Sequence, residues 1–187
     1  MRPSFAEPPA MLGRTEHRSR AEAQPRGRYE RVAGLVVAMA PERIAHVRVK
    51  ARVWRALEQA IRTKSLSCEA LGDGVTVEVG DDTDYEPGVV FNCGEPIAGD
   101  EVAAPNPAVV VEVLSPSTQS VDAGTNFTDY LKVPSIRHCL IVRADRPAVI
   151  HHRRRDDGGI EARLAAEGRI ALDPPGTEVA IEDFHAR

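Results

Sequence analysis

Between Ala108 and Leu114 the chain reads Ala-Val-Val-Val-Glu-Val-Leu, an apolar run interrupted only by Glu112. Pro105 and Pro107 precede it and Ser115-Pro116-Ser117 ends it. So β-branched a segment predicts a central strand covered on both faces, which asks for a sheet with neighbours on either side and layers above and below. The acid inside it is costly, because burying an unpaired carboxylate takes several kcal/mol. Three readings stand side by side. Glu112 pairs with a buried arginine, carries a proton because its pKa is raised, or holds a cation in a cleft at the strand's end.

The surrounding pattern supplies the rest of such a fold. Residues 28–39 read as a hairpin turning at Gly34. From His46 to Lys64 the stripe Val53, Trp54, Leu57 and Ile61 predicts an amphipathic helix. A strand is expected at Val75–Val79, another at Tyr85–Phe91, then the central run. A second helix is expected from Asp122 to Lys132 with Phe127, Tyr130 and Leu131 inward, stopped by Pro134. Strands at His138–Arg143 and Ala148–Arg153 come next, and one more short strand closes the chain. The expectation is an α/β domain with a mixed central sheet flanked by helices over residues 28–187. Residues 1–27 lack apolar periodicity and read as a mobile tail, with a short helix around Arg14–Ala23.

Several functional classes are disfavoured. No stretch approaches the roughly 18 apolar residues of a membrane span. The N-terminus carries charge and prolines where a signal peptide needs an unbroken apolar segment, so a cytoplasmic protein is expected. Cys68, Cys93 and Cys139 are scattered, and read as reduced thiols rather than a disulfide framework or zinc site. A formal net charge of −4 gives no general basic field for nucleic acid. Gly-rich phosphate loops and the G-x-S-x-G elbow are missing, which argues against a nucleotide cofactor and a serine hydrolase.

The segment Pro107 to Thr118, with its EVLSPST string, resembles the hallmark of a bacterial family labelled putative restriction endonuclease, whose members share the PD-(D/E)XK nuclease core. The similarity extends from Arg28 to about Phe184 through Met39-Ala40-Pro41, His46, Tyr85-Glu86-Pro87, Asp122 and Val133-Pro134-Ser135. The resemblance implies a restriction-endonuclease-like fold, DNA as substrate and a divalent metal such as Mg²⁺. It also implies a metal-holding aspartate after proline, the glutamate of the E-V-L strand, and a helix lysine that orients the attacking water. By analogy with two-strand cutting it implies a homodimer.

Two of those three positions depart from the pattern. Gly88 stands after Pro87 where the aspartate is expected, and Asn126 ends Gly124-Thr125-Asn126 where a G-x-K lysine is expected. Glycine has no side chain to ligate with, and asparagine carries no charge. Glu112 alone remains. Glu86 is a candidate to assist as a second metal ligand, because strand alternation would put it on the face of Gly88. Only three lysines occur, Lys50, Lys64 and Lys132. Lys132 lies six residues past Asn126 and points elsewhere on a helix. His46 and Lys50 continue the helix stripe backwards; they read as a hydrogen-bonded histidine and a snorkelling lysine in preference to catalytic substitutes. His151 and His152 adjoin in a strand and must face opposite sides. With them, Arg153, Arg154 and Arg155 form the densest basic patch, a nucleic-acid contact or a charged sheet edge. The sequence thus supports either a weakened metal-dependent DNA endonuclease or an inactive nuclease-fold module that binds nucleic acid or a protein.

Overall fold

A computed structural model describes residues 11–24, 27–114 and 126–185. Its first element is the helix expected near residue 14, α1 (Arg14–Glu22). The contacts that anchor this segment to the rest of the domain include the Leu12 N–H, which donates to the Gly34 carbonyl at 2.8 Å, and the buried side chain of His17. Strands β1 (Tyr29–Val32) and β2 (Leu35–Ala38) form the expected hairpin, with Val32 opposite Leu35. Its two turn residues, Ala33 and Gly34, both have positive φ, 50° and 79°. That backbone matches the right-handed strand twist, and glycine adopts it without strain.

Helix α2 (Ile44–Lys64) buries Val49, Val53, Leu57, Ala60 and Ile61 along one face. Trp54, expected on that stripe, is instead 39% exposed at its margin, with its indole N–H donating to the Ala70 carbonyl at 2.7 Å. Next come β3 (Cys68–Leu71), β4 (Val77–Val79), β5 (Thr83–Tyr85), β6 (Val89–Cys93) and β7 (Pro107–Leu114). Helix α3 (Asn126–Tyr130) precedes strands β8 (His138–Arg143), β9 (Val149–Arg154) and β10 (Ile160–Ala165). A hairpin of β11 (Arg169–Leu172) and β12 (Thr177–Ala180) and a 3₁₀ turn at Ile181–Phe184 end the described chain.

The main sheet has the order β10-β9-β8-β7-β6-β3, and a smaller one the order β2-β1-β5-β4. Only β7 and β8 run parallel in the main sheet, so it is mixed, as expected. The β7 strand is central. Val109, Val111 and Val113 pack on α2, the β11–β12 hairpin and Phe184, whereas Val110 packs with Tyr85, Tyr130 and Ile136 on the opposite face. No helix among the described residues is long and apolar enough to cross a membrane.

Three expectations need correction. The strand expected over Tyr85–Phe91 is two strands in different sheets, and Glu86-Pro87-Gly88 is the crossing between them. The C-terminal strand is a hairpin, and β10 carries no burial pattern to announce it, its first five residues being exposed. The start of the second helix, expected at Asp122, lies outside the described residues.

The third correction concerns the cysteines. Cys68 and Cys93 face each other across the β3–β6 pair and form a disulfide, leaving Cys139 as the free, buried thiol. A bridge closing 25 residues restricts the unfolded chain by about 3 kcal/mol in the loop-entropy account. Reduction is therefore expected to lower the denaturant midpoint by about that free energy. Cys68→Ala with Cys93→Ala should show no such response to reductant.

A buried ion pair ties the small sheet to α1. Arg31, 1% exposed, donates to Asp84 at 2.7 Å and to the carbonyl of Leu12 at 3.2 Å, and Arg14 reaches the other oxygen of Asp84 at 2.7 Å. Two guanidiniums thus share one buried carboxylate, satisfying both of its oxygens.

Candidate active site

The sheet crossing brings the two positions of interest together. Val89 pairs with Val111, so Gly88 lies beside Glu112, and its N–H donates to the Glu112 carboxylate. On the other side the Tyr130 hydroxyl, from α3, donates to Glu112 Oε1 at 2.6 Å. No guanidinium contacts Glu112 among the described residues. Of the three readings of this acid, pairing with a buried arginine is therefore set aside. Burial pushes its carboxyl up to about 8, the Glu30 carboxylate adding to the rise and the Tyr130 hydroxyl, Lys50 and the Gly88 N–H opposing it. At neutral pH the group is then largely protonated. Tyr130 is itself raised far above an ordinary phenol by burial and by Glu112. Its ring leans on Tyr85 at 5.2 Å, and the Tyr85 hydroxyl donates to Asp129 at 2.7 Å.

Lys50 fills the space that Gly88 leaves. A Cβ on residue 88 would stand 3.0 Å from Lys50 Cε, 3.3 Å from its Cγ and 3.3 Å from the Val111 carbonyl. The lysine is 8% exposed, so it lies inside and does not snorkel to the surface. Its ammonium bonds to Glu42 and to Asp73, the latter at 3.0 Å. His46 continues the row, with one ring nitrogen on the Val113 carbonyl and the other 3.4 Å from Glu42. Glu42, His46 and Lys50 recur every four residues. That spacing was the signal available in the sequence for this row, but it could not say that the row docks beside Gly88.

Glu86 takes a different path from the one alternation suggested. Alternation does not carry across a change of sheet, and its carboxylate is held by Arg28 at 2.8 Å while Arg28 also clamps Asp73 at 2.5 and 2.9 Å. The Glu86 N–H donates to Glu30. Glu30, Glu42, Asp73 and Tyr130 are thus site neighbours that sequence reasoning did not single out as such. They come from four different elements or loops. Asn126 begins α3 one turn before Tyr130, so the position where the helix lysine is expected lies one turn from a residue that touches Glu112. Lys132 pairs with Asp129 at 2.6 Å on the surface.

Residues 15–182 match the Uma2 family, described as putative restriction endonuclease. The chain belongs to the Uma2 family. A stretch of 77 residues is 32% identical to the uncharacterized protein slr1290 of Synechocystis sp., covering 41% of this chain and 40% of that protein's length. The fold superposes on the crystal structure of a putative nuclease belonging to DUF820 from Anabaena variabilis with a TM-score of 0.74, 14% identity, and 92% and 97% of the two chains covered. That likeness establishes a shared fold.

Uma2 membership raises the question of a divalent ion, which prefers several hard oxygen ligands and keeps some of its waters. The donors here do not fit one. Residue 88 offers no carboxylate, Glu86 is engaged by Arg28, and the Lys50 methylenes fill the space beside residue 88 while its ammonium holds Glu42 and Asp73. No three His, Cys, Asp or Glu side chains among the described residues are grouped as ligands. The basic patch of this Uma2 chain is also divided. Arg154 turns inward and caps main-chain carbonyls of Leu131, Val133 and Ile136, and Arg155 pairs with Asp157. Arg153 and His151 face the α2 side of the sheet with Val149, whereas His152 stacks on Phe127 on the other side, rings 4.0 Å apart.

Proposed function

We propose that this Uma2 chain is a nuclease-fold protein with a disabled hydrolytic centre, which keeps DNA as its ligand and has lost nearly all metal-dependent phosphodiester hydrolysis. The observation that carries this reading is the exchange of charge at residue 88. Where the family resemblance implies a carboxylate, glycine leaves room for the Lys50 methylenes and a cation of the protein's own. An ammonium bonded to Glu42 and Asp73 offsets the nearby acids without offering a lone pair, an open coordination position or a polarised water. The remaining Glu112, hydrogen-bonded from two sides, is a structural acid in this state.

The second reading is a weak Mg²⁺-dependent DNA endonuclease, active as a cytoplasmic homodimer, with Glu112 and Glu86 as its ligands. It is favoured by the acids that flank Lys50 and Arg28, namely Glu42, Asp73 and Glu86, which are available if those cations move. Incubation with supercoiled plasmid and Mg²⁺ or Mn²⁺ separates the two. The expected result is no cutting by the parent above that of Glu112→Ala, while a labelled duplex is still bound at low salt. Metal-dependent cutting that disappears in Glu112→Ala would establish the endonuclease. Failure to bind the duplex at low salt would leave a protein partner as the ligand of the fold.

A further inference from the structure

On the face of the main sheet opposite Tyr130, where its edge meets β11, lies a cleft of about 120 Å³. That is several times the space one water needs, and enough for one phosphate-sized group. Arg153 from β9, Arg163 from β10 and Arg169 from β11 line it, with His151, Glu161 and the buried side chain of Ile170. The register explains the convergence. Arg163 stands opposite His151, and Glu161 opposite Arg153, so these side chains share one face of the β9–β10 pair.

The charges in the cleft are not balanced. Arg169 is paired with Glu178 at 2.6 Å, but Arg153 and Arg163 make no hydrogen bond or ion pair among the described residues. Glu161 is the acid among the lining residues, and no ion pair joins it to either of them. Two guanidiniums without a carboxylate partner at one concave spot leave a local positive charge in a chain whose net charge is −4.

The histidine beneath them is fixed by a relay. His138, fully buried, has Nε2 at 3.0 Å from the Pro174 carbonyl and Nδ1 at 2.8 Å from His151 Nε2. A carbonyl only accepts, so His138 donates through Nε2 and accepts through Nδ1, and His151 donates through its Nε2. Burial, assisted for His138 by His151 and for His151 by Arg153, lowers both rings to about 4, consistent with two neutral imidazoles at pH 7. The other nitrogen of His151, Nδ1, is then a lone-pair acceptor, and the neutral ring lines the cleft beside the two unpaired arginines without adding a charge of its own.

We infer that Arg153 and Arg163 form a binding site for a phosphate group, with the neutral His151 as part of its floor, separate from the Gly88–Glu112 site and on the other face of the sheet. Guanidinium forks match phosphate oxygens in geometry and charge, and the cleft admits one such group. The site stands whether or not the fold hydrolyses DNA. Its phosphate comes either from the free ion and small phosphomonoesters or from a nucleic-acid backbone.

Calorimetric titration with inorganic phosphate and anisotropy with a labelled DNA duplex distinguish these sources, using the full chain, Arg153→Gln with Arg163→Gln, and Arg55→Gln as a surface control. Phosphate is expected to bind the parent in the millimolar range, at least about tenfold more weakly in the double variant and unchanged in the control. Both replaced arginines are exposed, so an unchanged melting temperature is expected and checks that the variant folds. A parallel loss of duplex affinity assigns the site to the backbone; unaltered duplex binding assigns it to free phosphate or a phosphomonoester. No phosphate binding by the parent, or equal binding by the double variant, would overturn the site.

Discussion

Metal-dependent plasmid cutting should return in steps when the two replaced positions are reversed and the charge of Lys50 is removed. Gly88→Asp with Asn126→Lys restores the carboxylate and the helix lysine that the family resemblance implies. Yet the new side chain meets Lys50 Cε at 3.0 Å from its own Cβ, and its carboxylate would form next to an ammonium. The methylene end of a lysine can yield a few tenths of an ångström, so folding should survive. The ammonium would still compete with any metal for the new acid. The double reversion alone is therefore expected to cut poorly, and the addition of Lys50→Met to raise cutting by at least about a hundredfold. A hundredfold is about 2.7 kcal/mol, the size of one electrostatic interaction at a transition state. Glu112→Ala in the triple background should return cutting to the parent's level. Equal, negligible cutting by all forms would mean that residues 88, 112 and 126 do not constitute one site.

The second large effect concerns pH. Glu112 ionises in the unfolded chain at its ordinary 4.5 and in the folded protein at about 8. Between these values the unfolded state has released the proton that the native state still holds. Stability therefore falls as pH rises from about 4.5 to about 8, then levels off. Glu112→Gln removes this slope and keeps an oxygen for the Tyr130 hydroxyl. The variant should match the parent near pH 4.5 and exceed it at pH 9 by about 5 kcal/mol, or about 10–20 °C in melting temperature for a chain of this size. Identical pH profiles for the two proteins would show that Glu112 is ionised in the native state at neutral pH.

What the sequence disclosed and what it withheld divide along a physical line. The β7 strand and the peculiarity of Glu112 were legible because both are local: β-branched apolar residues and one acid among them. The hairpin at Ala33-Gly34 and the helix ending at Lys64 were legible for the same reason. Lys50 was not, because a lysine on a helix stripe looks alike whether it reaches solvent or docks behind a glycine on another element. Glu86 was misplaced because proline and glycine after it mark a change of sheet, and period-two reasoning assumes that a strand continues. Cys68 and Cys93 are 25 residues apart, and only the β3–β6 register makes them partners. Arg153, Arg154 and Arg155 looked like one patch because they adjoin in sequence, although successive strand residues must part to opposite faces.

The attachment of α1 bears on where the folding unit begins. Asp84 has its charge balanced from two directions, by Arg31 within the small sheet and by Arg14 from upstream of residue 28. Arg31 in turn leans on the carbonyl of Leu12. A shortened version starting at residue 28 would keep the carboxylate and forfeit half of its counter-charge, along with an oxygen that its remaining partner needs. Helix α1 is thus less a passenger than a keystone, and the sheet it steadies leads into the crossing that delivers Gly88 to Glu112.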